Sequence, residues 1–232
     1  MLAMPWLWLI AMWNLSRYRR TQVIKGAQPI VIHTIDNDKI FVKIVHILKK
    51  FRNIFSLFFI LCMVILAIGY MIPERCAMPC STASSYNKAS FWTHPWTRGI
   101  EGSPHYGVDI FGKEGSPVVS QTGGIVIYAG WFSNVSGNMV CILGPKWRIH
   151  EYMHLKDIQV KIGDWMSIDE KIGTLGKTGN AINTPPHTHY SILTPIPYFW
   201  LYNESYGKTN VPNKFNWMKM FYLNPADHLP LE

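Results

Sequence analysis

Hydrophobic residues form one long, unbroken run in the N-terminal third of the chain. From Ile54 to Ile72, nineteen consecutive residues carry no charge, and a helix that crosses a bilayer needs about 20 apolar residues. A helix in a soluble core normally keeps a polar face, and this run has none. The pattern predicts a single transmembrane helix, or a cleaved signal segment, over residues 54–72.

Beyond this run the pattern changes to short apolar stretches separated by turns. Residues 73–90 hold Pro, Ser, Ala and Asn with little periodicity, which is typical of a linker. From residue 91 onward, apolar runs alternate with Gly and Asn turns at a spacing of about 8–12 residues, as in an all-β sandwich or barrel. We predict a linker over residues 73–90 and an all-β soluble domain over residues 91–193, built on an antiparallel sheet. Within it, residues 162–176 have the form of a hairpin like that of lipoyl-type barrels.

Residues 194–232 differ from the predicted strands because aromatic residues crowd together there. Nine Tyr, Phe and Trp residues fall in this stretch, interrupted by several prolines. Such residues carry a large apolar area for their number. We predict a C-terminal tail that packs on the domain and covers a sheet face. The alternative is that the tail forms one wall of a substrate groove.

The net charge of +8 is concentrated before the apolar run. Residues 1–53 hold nine Lys and Arg against two Asp, whereas residues 54–232 hold thirteen Lys and Arg against twelve acids. This asymmetry is typical of membrane topology and not of a nucleic-acid-binding face. It predicts a basic cytoplasmic segment over residues 1–53 and a single-pass anchor in the inner (cytoplasmic) membrane. The domain after Pro73 is then periplasmic or otherwise extracytoplasmic, and we expect no nucleic-acid partner.

Residues 48–72 form a complete basic-then-apolar targeting segment by themselves. The preceding 47 residues add nothing that targeting requires. We therefore hypothesise that translation begins near Leu48 from a non-standard start codon.

The four cysteines do not follow a zinc-finger spacing. Cys62 lies in the apolar run, and Cys141 lies in a predicted strand, where a small core residue is expected. Cys76 and Cys80 follow the run, and in an oxidising compartment they can pair with each other or with another chain.

Three short motifs hold residues that suit one zinc site: HYGVD with His105 and Asp109, EYMHL with His154, and HTHY with His187 and His189. A catalytic zinc takes three ligands from His and Asp or Glu and keeps one position open. Residues two apart on a strand face the same side, so one histidine of HTHY can bind the metal while the other faces bound water. The remaining histidines are expected to be packing or surface residues: His33, His46, His94, His150 and His228.

The motifs HYGVD, EYMHL, GTLGKTGNA and HTHY resemble, in order and spacing, those of the LytM/lysostaphin family of zinc metallopeptidases. The resemblance covers about residues 91–193. It implies a mainly antiparallel β fold with a groove, a single Zn²⁺ ion, and hydrolysis of peptide bonds in bacterial peptidoglycan. It also implies His105, Asp109 and His189 as metal ligands and His154 and His187 as catalytic residues.

The sequence departs from the family pattern at Met153, where a small residue is usual, at Thr188, where a bulky apolar residue is common, and in the long tail after Leu193. No glutamate stands in a His-Glu-x-x-His arrangement, so His187 is the expected base. His154 is expected to share that role or to donate a hydrogen bond to the oxyanion.

The resulting hypothesis is a membrane-anchored zinc metalloendopeptidase that hydrolyses peptide crosslinks of peptidoglycan. Two alternatives remain. One is a non-catalytic envelope module that binds wall fragments or activates another cell-wall hydrolase, and the other is a membrane-tethered assembly protein.

Overall fold

The computed structural model describes residues 37–80, 82, 85–86, 88–93, 104–206 and 211–230. Two compact units are distinguished, Met1–Phe55 and Ser56–Glu232. Most of the predicted cytoplasmic segment, including residues 1–36, lies outside the described residues. So do His33, His94 and parts of the predicted linker and tail.

Helix α1 spans Asn37–Met71 and contains all but the last residue of the predicted apolar helix. It begins earlier than the uncharged run because no proline interrupts the sequence between Asn37 and Met71. It ends two residues before Pro73, as the clash of a proline ring with the preceding residue requires. By length and composition alone, Ile40–Met71 is able to cross a membrane.

The domain that follows is built from antiparallel strands. In chain order they are β1 (Ser85–Tyr86), β2 (Gly107–Phe111), β3 (Pro117–Val119), β4 (Gly124–Ser133), β5 (Gly137–Leu143), β6 (Ile149–Leu155), β7 (Asp157–Ile158), β8 (Trp165–Met166), β9 (Lys171–Thr174), β10 (His187–Leu193) and β11 (Tyr222–Leu223). Among the described residues, the larger sheet has the order β1-β2-β10-β6-β5-β4-β8, with β11 added to β10, and a smaller sheet has the order β3-β9-β7. The predicted all-β antiparallel domain after an apolar helix is confirmed.

Helical structure within residues 104–206, all of which are described, is limited to short 3₁₀ turns. These turns are Pro145–Trp147, Gly179–Asn183 and Phe199–Asn203, and the tail adds Asn213–Met220 and Pro225–Asp227. The two arms of the predicted hairpin at 162–176 do not pair with each other. Strand β8 pairs with β4, and β9 pairs with β3 and β7, so the turn between them joins the two sheets.

The core lies on one face of the larger sheet, where strand alternation collects large apolar side chains. On β10, Thr188, Tyr190 and Ile192 are fully buried. The alternate residues His187, His189 and Ser191 point to the opposite face, because successive side chains on a strand alternate. We call this opposite face the site face.

Several residues of the segment predicted as a linker, residues 73–90, contact the folded domain. Cys80 is fully buried in the core. The Ala77 amide donates to the Gln121 carbonyl, and the Val119 amide donates to the Pro79 carbonyl, both at 2.8 Å. Isolated backbone bonds of this kind impose no regular spacing on side chains, so the segment carries no strand periodicity.

The described part of the tail packs on the domain. Leu223 and Leu229 are buried with the core residues, and β11 extends the sheet beside β10. All four cysteines have free thiols, so Cys76 and Cys80 are not paired with each other. Burial raises the pKa of Cys141 to about 12, with a contribution from the charge of Glu151.

A polar cluster is buried on the core side of β6 and β10. The Arg148 guanidinium donates to Glu74, and the fully buried His150 lies 3.5 Å from the same carboxylate. Tyr190 donates its hydroxyl proton to the side chain of Gln121, so its oxygen accepts from His150 Nδ1 at 2.7 Å. Burial, together with the nearby charge of Arg148, lowers the pKa of His150 to about 3.

Acidification is therefore expected to destabilise the domain through His150. An unfolded histidine titrates near pH 6.5, at about the value in model peptides, whereas the folded His150 stays neutral down to about pH 3. Between pH 6.5 and about pH 3, the free energy of unfolding therefore falls by about 1.4 kcal/mol for each unit by which the pH is lowered. We expect His150→Gln to flatten the pH dependence of the free energy of unfolding by that amount.

Urea unfolding of the two proteins at pH 7, 6 and 5 measures this difference. A chelator present throughout keeps metal release from contributing. Parallel curves for the wild type and the variant would contradict the prediction.

Candidate metal centre

The register of β2 and β10 brings the three residues implied as metal ligands together. His189 lies opposite Asp109 in the pairing of the two strands. Asp109 Oδ1 is 2.9 Å from His189 Nδ1 and 3.2 Å from His105 Nε2. One potential ligand atom from each residue lies within 4.8 Å of the other two, and all three residues are half-buried.

Gly107 makes this close approach of the two strands possible. A Cβ atom at this position would lie 2.7 Å from His189 Nε2 and 2.3 Å from the Tyr190 carbonyl oxygen. Lack of space therefore explains why a glycine stands between His105 and Asp109, because any side chain there would displace the His189 ring.

Backbone carbonyls orient three of the five predicted site residues. The Nδ1 atom of His105 lies 3.0 Å from the Ser90 carbonyl oxygen, and that of His154 lies 3.0 Å from the Thr178 carbonyl oxygen. The Nδ1 atom of His187 lies 2.8 Å from the Pro185 carbonyl oxygen. A carbonyl oxygen only accepts, so in each neutral ring Nδ1 carries the proton and Nε2 keeps its lone pair. A lone pair on Nε2 is what a metal ligand or a general base requires.

His154 reaches the site face through an irregularity in the sheet. The pairing of β5 with β6 shifts register between Asn138 and Val140, and His154 has a left-handed backbone with φ of 63°. Regular alternation would place its side chain on the core side with Tyr152. Instead its ring centroid lies 5.0 Å from that of His187.

Thr178, in the glycine-rich motif GTLGKTGNA, supports this irregular backbone. Its hydroxyl accepts from the Asn138 amide at 2.9 Å and donates to the Leu155 carbonyl at 2.9 Å. Its own carbonyl accepts from His154. The motif therefore fixes both the bulge and the His154 ring.

The charges in the cluster are set by Asp109. Burial opposes ionisation of this carboxyl, but hydrogen bonds from the protonated ring of His105 and from His189 outweigh burial and hold its pKa well below the usual range. Burial also opposes the charge on His105, and the bond to Asp109 outweighs it and raises the pKa of that histidine. Burial, followed by the charge of His189, lowers the pKa of His154 to about 3. Near neutral pH, Asp109 is an anion and His154 is neutral.

All five residues named from the sequence are brought to one place. His187 is buried, and its Nε2 is 3.8 Å from Asp109 Oδ1. Two imidazole nitrogens and one carboxylate oxygen, half-buried and close together, are the donor set of a catalytic zinc site. The residues present therefore fit a zinc ion held by His105, Asp109 and His189.

Sequence reasoning missed the carbonyl groups that orient the histidines. Ser90 precedes His105 by 15 residues and falls in the segment predicted as a linker. A backbone carbonyl leaves no mark in the sequence, so no signal identified it. Thr178 was marked only by the glycine-rich motif around it.

The chain is similar in sequence to several known proteins. Residues 103–198 match the family model described as peptidase family M23. Lysostaphin of Staphylococcus simulans is 33% identical over 133 residues, which cover 52% of this chain and 26% of that protein. The peptidoglycan DD-endopeptidase ShyA of Vibrio cholerae is 34% identical over 100 residues, which cover 43% of this chain and 22% of that protein.

Among solved structures, the lysostaphin catalytic domain of S. simulans, crystallised in the absence of phosphate, is 29% identical. The match covers 57% of this chain and 91% of that one, with a TM-score of 0.43. The chain spans 26% and 22% of the length of the two curated relatives.

Proposed function

The domain at residues 103–198 belongs to peptidase family M23, and from this premise we propose that the protein is a zinc-dependent endopeptidase that hydrolyses peptide crosslinks of bacterial peptidoglycan. The observation that carries the proposal is the meeting of His105, Asp109 and His189 within 4.8 Å. The name of one similar protein, a peptidoglycan DD-endopeptidase, supports the substrate class.

In this proposal the residues divide into a metal-holding set and a proton-moving pair. His105, Asp109 and His189 would hold the ion, and the atoms that face each other are His105 Nε2, Asp109 Oδ1 and His189 Nδ1. Zinc, when bound, lowers the pKa of a coordinated water towards about 7 and polarises a carbonyl group. His187 keeps its Nε2 lone pair because Nδ1 donates to the Pro185 carbonyl, and it takes the proton from the attacking water.

His154 acts beside His187 as an acceptor. Its Nδ1 proton is bound to the Thr178 carbonyl, so the neutral ring has no proton on Nε2 to donate. The lowered pKa of about 3 keeps the ring neutral near pH 7. Of the two roles that the sequence left open for His154, a share in the base role fits these contacts better than donation to an oxyanion: its Nε2 accepts a hydrogen bond from the attacking water, and His187 takes the proton.

The same proposal places the domain outside the cytoplasmic membrane. Helix α1 is long and apolar enough to serve as an anchor, and the excess of Lys and Arg precedes its uncharged part. Positive charge flanking a membrane helix favours the cytoplasmic side. The domain then lies on the side where peptidoglycan is found.

Purified sacculi incubated with the full-length protein in detergent are expected to release soluble muropeptides. The products are identified by mass spectrometry. A chelator is expected to stop the release, and added Zn²⁺ is expected to restore it. The reason is that the three proposed ligands contribute to hydrolysis only by holding the metal ion. Binding to sacculi without any release would favour the non-catalytic envelope module instead.

A further inference from the structure

A carboxyl group that the proposed chemistry does not use lies on the site face. Glu151 on β6 is paired with Ser191 on β10 and with Cys141 on β5. Ser191 donates its hydroxyl proton to Glu151 Oε2 at 2.5 Å. Ser191 and His189 are two residues apart on one strand and share a face, so Glu151 lies about 7 Å along the sheet from the proposed metal ligands.

The charge of Glu151 has no partner among the described residues. No Lys, Arg or His side chain there forms an ion pair with it. Its Oε1 atom takes no hydrogen bond from the described residues, and burial raises the pKa of this carboxyl against the opposing effect of the hydrogen bond from Ser191. A half-buried carboxyl without a cation costs stability. A glutamine at this position would accept the same hydrogen bond from Ser191 without that cost.

Aromatic rings stand next to this carboxyl. Tyr222 on β11 pairs with Leu193 on β10, which puts its side chain on the same face as Ser191. Tyr106 stacks against it, with ring centroids 4.5 Å apart and an angle of 22° between the planes. Burial, followed by the charge of Glu151, raises the pKa of Tyr222.

A carboxylate with a free oxygen beside aromatic faces is suited to an ammonium group, which it binds through a charge-assisted hydrogen bond and cation–π contact. We propose that Glu151, with Ser191, Tyr106 and Tyr222, forms a subsite for a primary ammonium group of the peptide substrate, about 7 Å from the proposed metal site. This inference rests on the proposed function, since the subsite would bind a free amino group of the substrate near the bond that the peptidase cuts.

The test compares one substrate in two forms. A crosslinked muropeptide dimer with free amino groups and the same dimer after acetylation are given to the zinc-loaded full-length protein and to Glu151→Gln. We expect kcat/KM of the wild type to fall roughly tenfold or more on acetylation, as loss of a hydrogen bond to a charged group implies. Glu151→Gln is expected to cut the free-amine dimer that much more slowly and the acetylated dimer at the wild-type rate.

A matched variant, Glu170→Gln, removes a carboxylate from the turn before β9, where it accepts from the Ser167 amide. It is expected to discriminate between the two dimers as the wild type does. Equal loss on both dimers in Glu151→Gln would show a structural role and overturn the subsite. A wild-type rate unchanged by acetylation would overturn it without the need for any variant.

Failure of the proposed function is distinguishable from failure of the subsite. If the wild type cuts neither dimer, the peptidase proposal fails. The dissociation constants of the same two dimers, measured by calorimetry, then decide on the subsite. The subsite is supported if acetylation weakens binding of the dimer to the wild type but not to Glu151→Gln. Equal binding of the two dimers to the wild type overturns the subsite.

Discussion

Replacing Asp109 with alanine is expected to remove both the metal and the hydrolytic activity. Asp109 Oδ1 is the atom on which His105 and His189 converge, at 3.2 and 2.9 Å. Without the carboxylate, two imidazoles remain, and they lose their orientation as well as a charged ligand. Loss of a group that only hydrogen-bonds a ligand weakens metal binding about 10–100-fold, so removal of a ligand is expected to cost more than about 100-fold.

Zinc content after dialysis, measured by mass spectrometry of the metal, tests this directly. The wild type is expected to retain about one ion per chain, the number a single catalytic site requires, and Asp109→Ala none. Asp164→Ala serves as the control, since this carboxylate accepts from the Lys161 amide in an exposed turn. A variant without Asp109 that kept its zinc would contradict the assignment of this residue as a ligand.

Replacing His187 with alanine is expected to separate metal binding from catalysis. His187 Nε2 lies 3.8 Å from Asp109 Oδ1, farther than the nitrogens of His105 and His189. Its role in the proposal is to accept a proton, and general bases contribute roughly 10²–10⁴-fold to rates. We expect His187→Ala to keep one zinc ion while kcat falls by about that factor.

Thr188→Val is the matched control for this variant. Thr188 lies between the two histidines but is fully buried on the core side, where its hydroxyl donates to the Met153 carbonyl. The control is expected to keep both zinc and most of the activity. Loss of zinc in His187→Ala would mean that His187 is a ligand and that its role has been exchanged with that of another histidine.

The parts of the site that follow from strand alternation could be predicted from the sequence. HTHY alternates on a single strand, and this alone places His187 and His189 on one face and Thr188 on the other. HYGVD overlaps the neighbouring strand β2, but alternation does not give the register that opposes Asp109 to His189, which depends on how β2 and β10 pair. The lack of a side chain at Gly107 permits that pairing.

The parts that depend on irregular backbone could not be predicted in this way. Regular alternation on β6 would turn His154 away from the site, and only the bulge and the left-handed φ bring it back. The Ser90 carbonyl and the buried Cys80 belong to a segment whose composition is that of a linker. Its contacts are isolated hydrogen bonds, the two-residue strand β1 and a few core side chains, which are too scattered to produce a periodic pattern.

X-ray absorption at the zinc edge of the metal-loaded, full-length protein shows which kinds of side chain hold the ion. We expect only nitrogen and oxygen neighbours at about 2.0–2.1 Å, with the scattering pattern of two imidazoles. A sulfur neighbour at about 2.3 Å, or a third imidazole, would contradict the assignment of His105, Asp109 and His189 as the protein ligands.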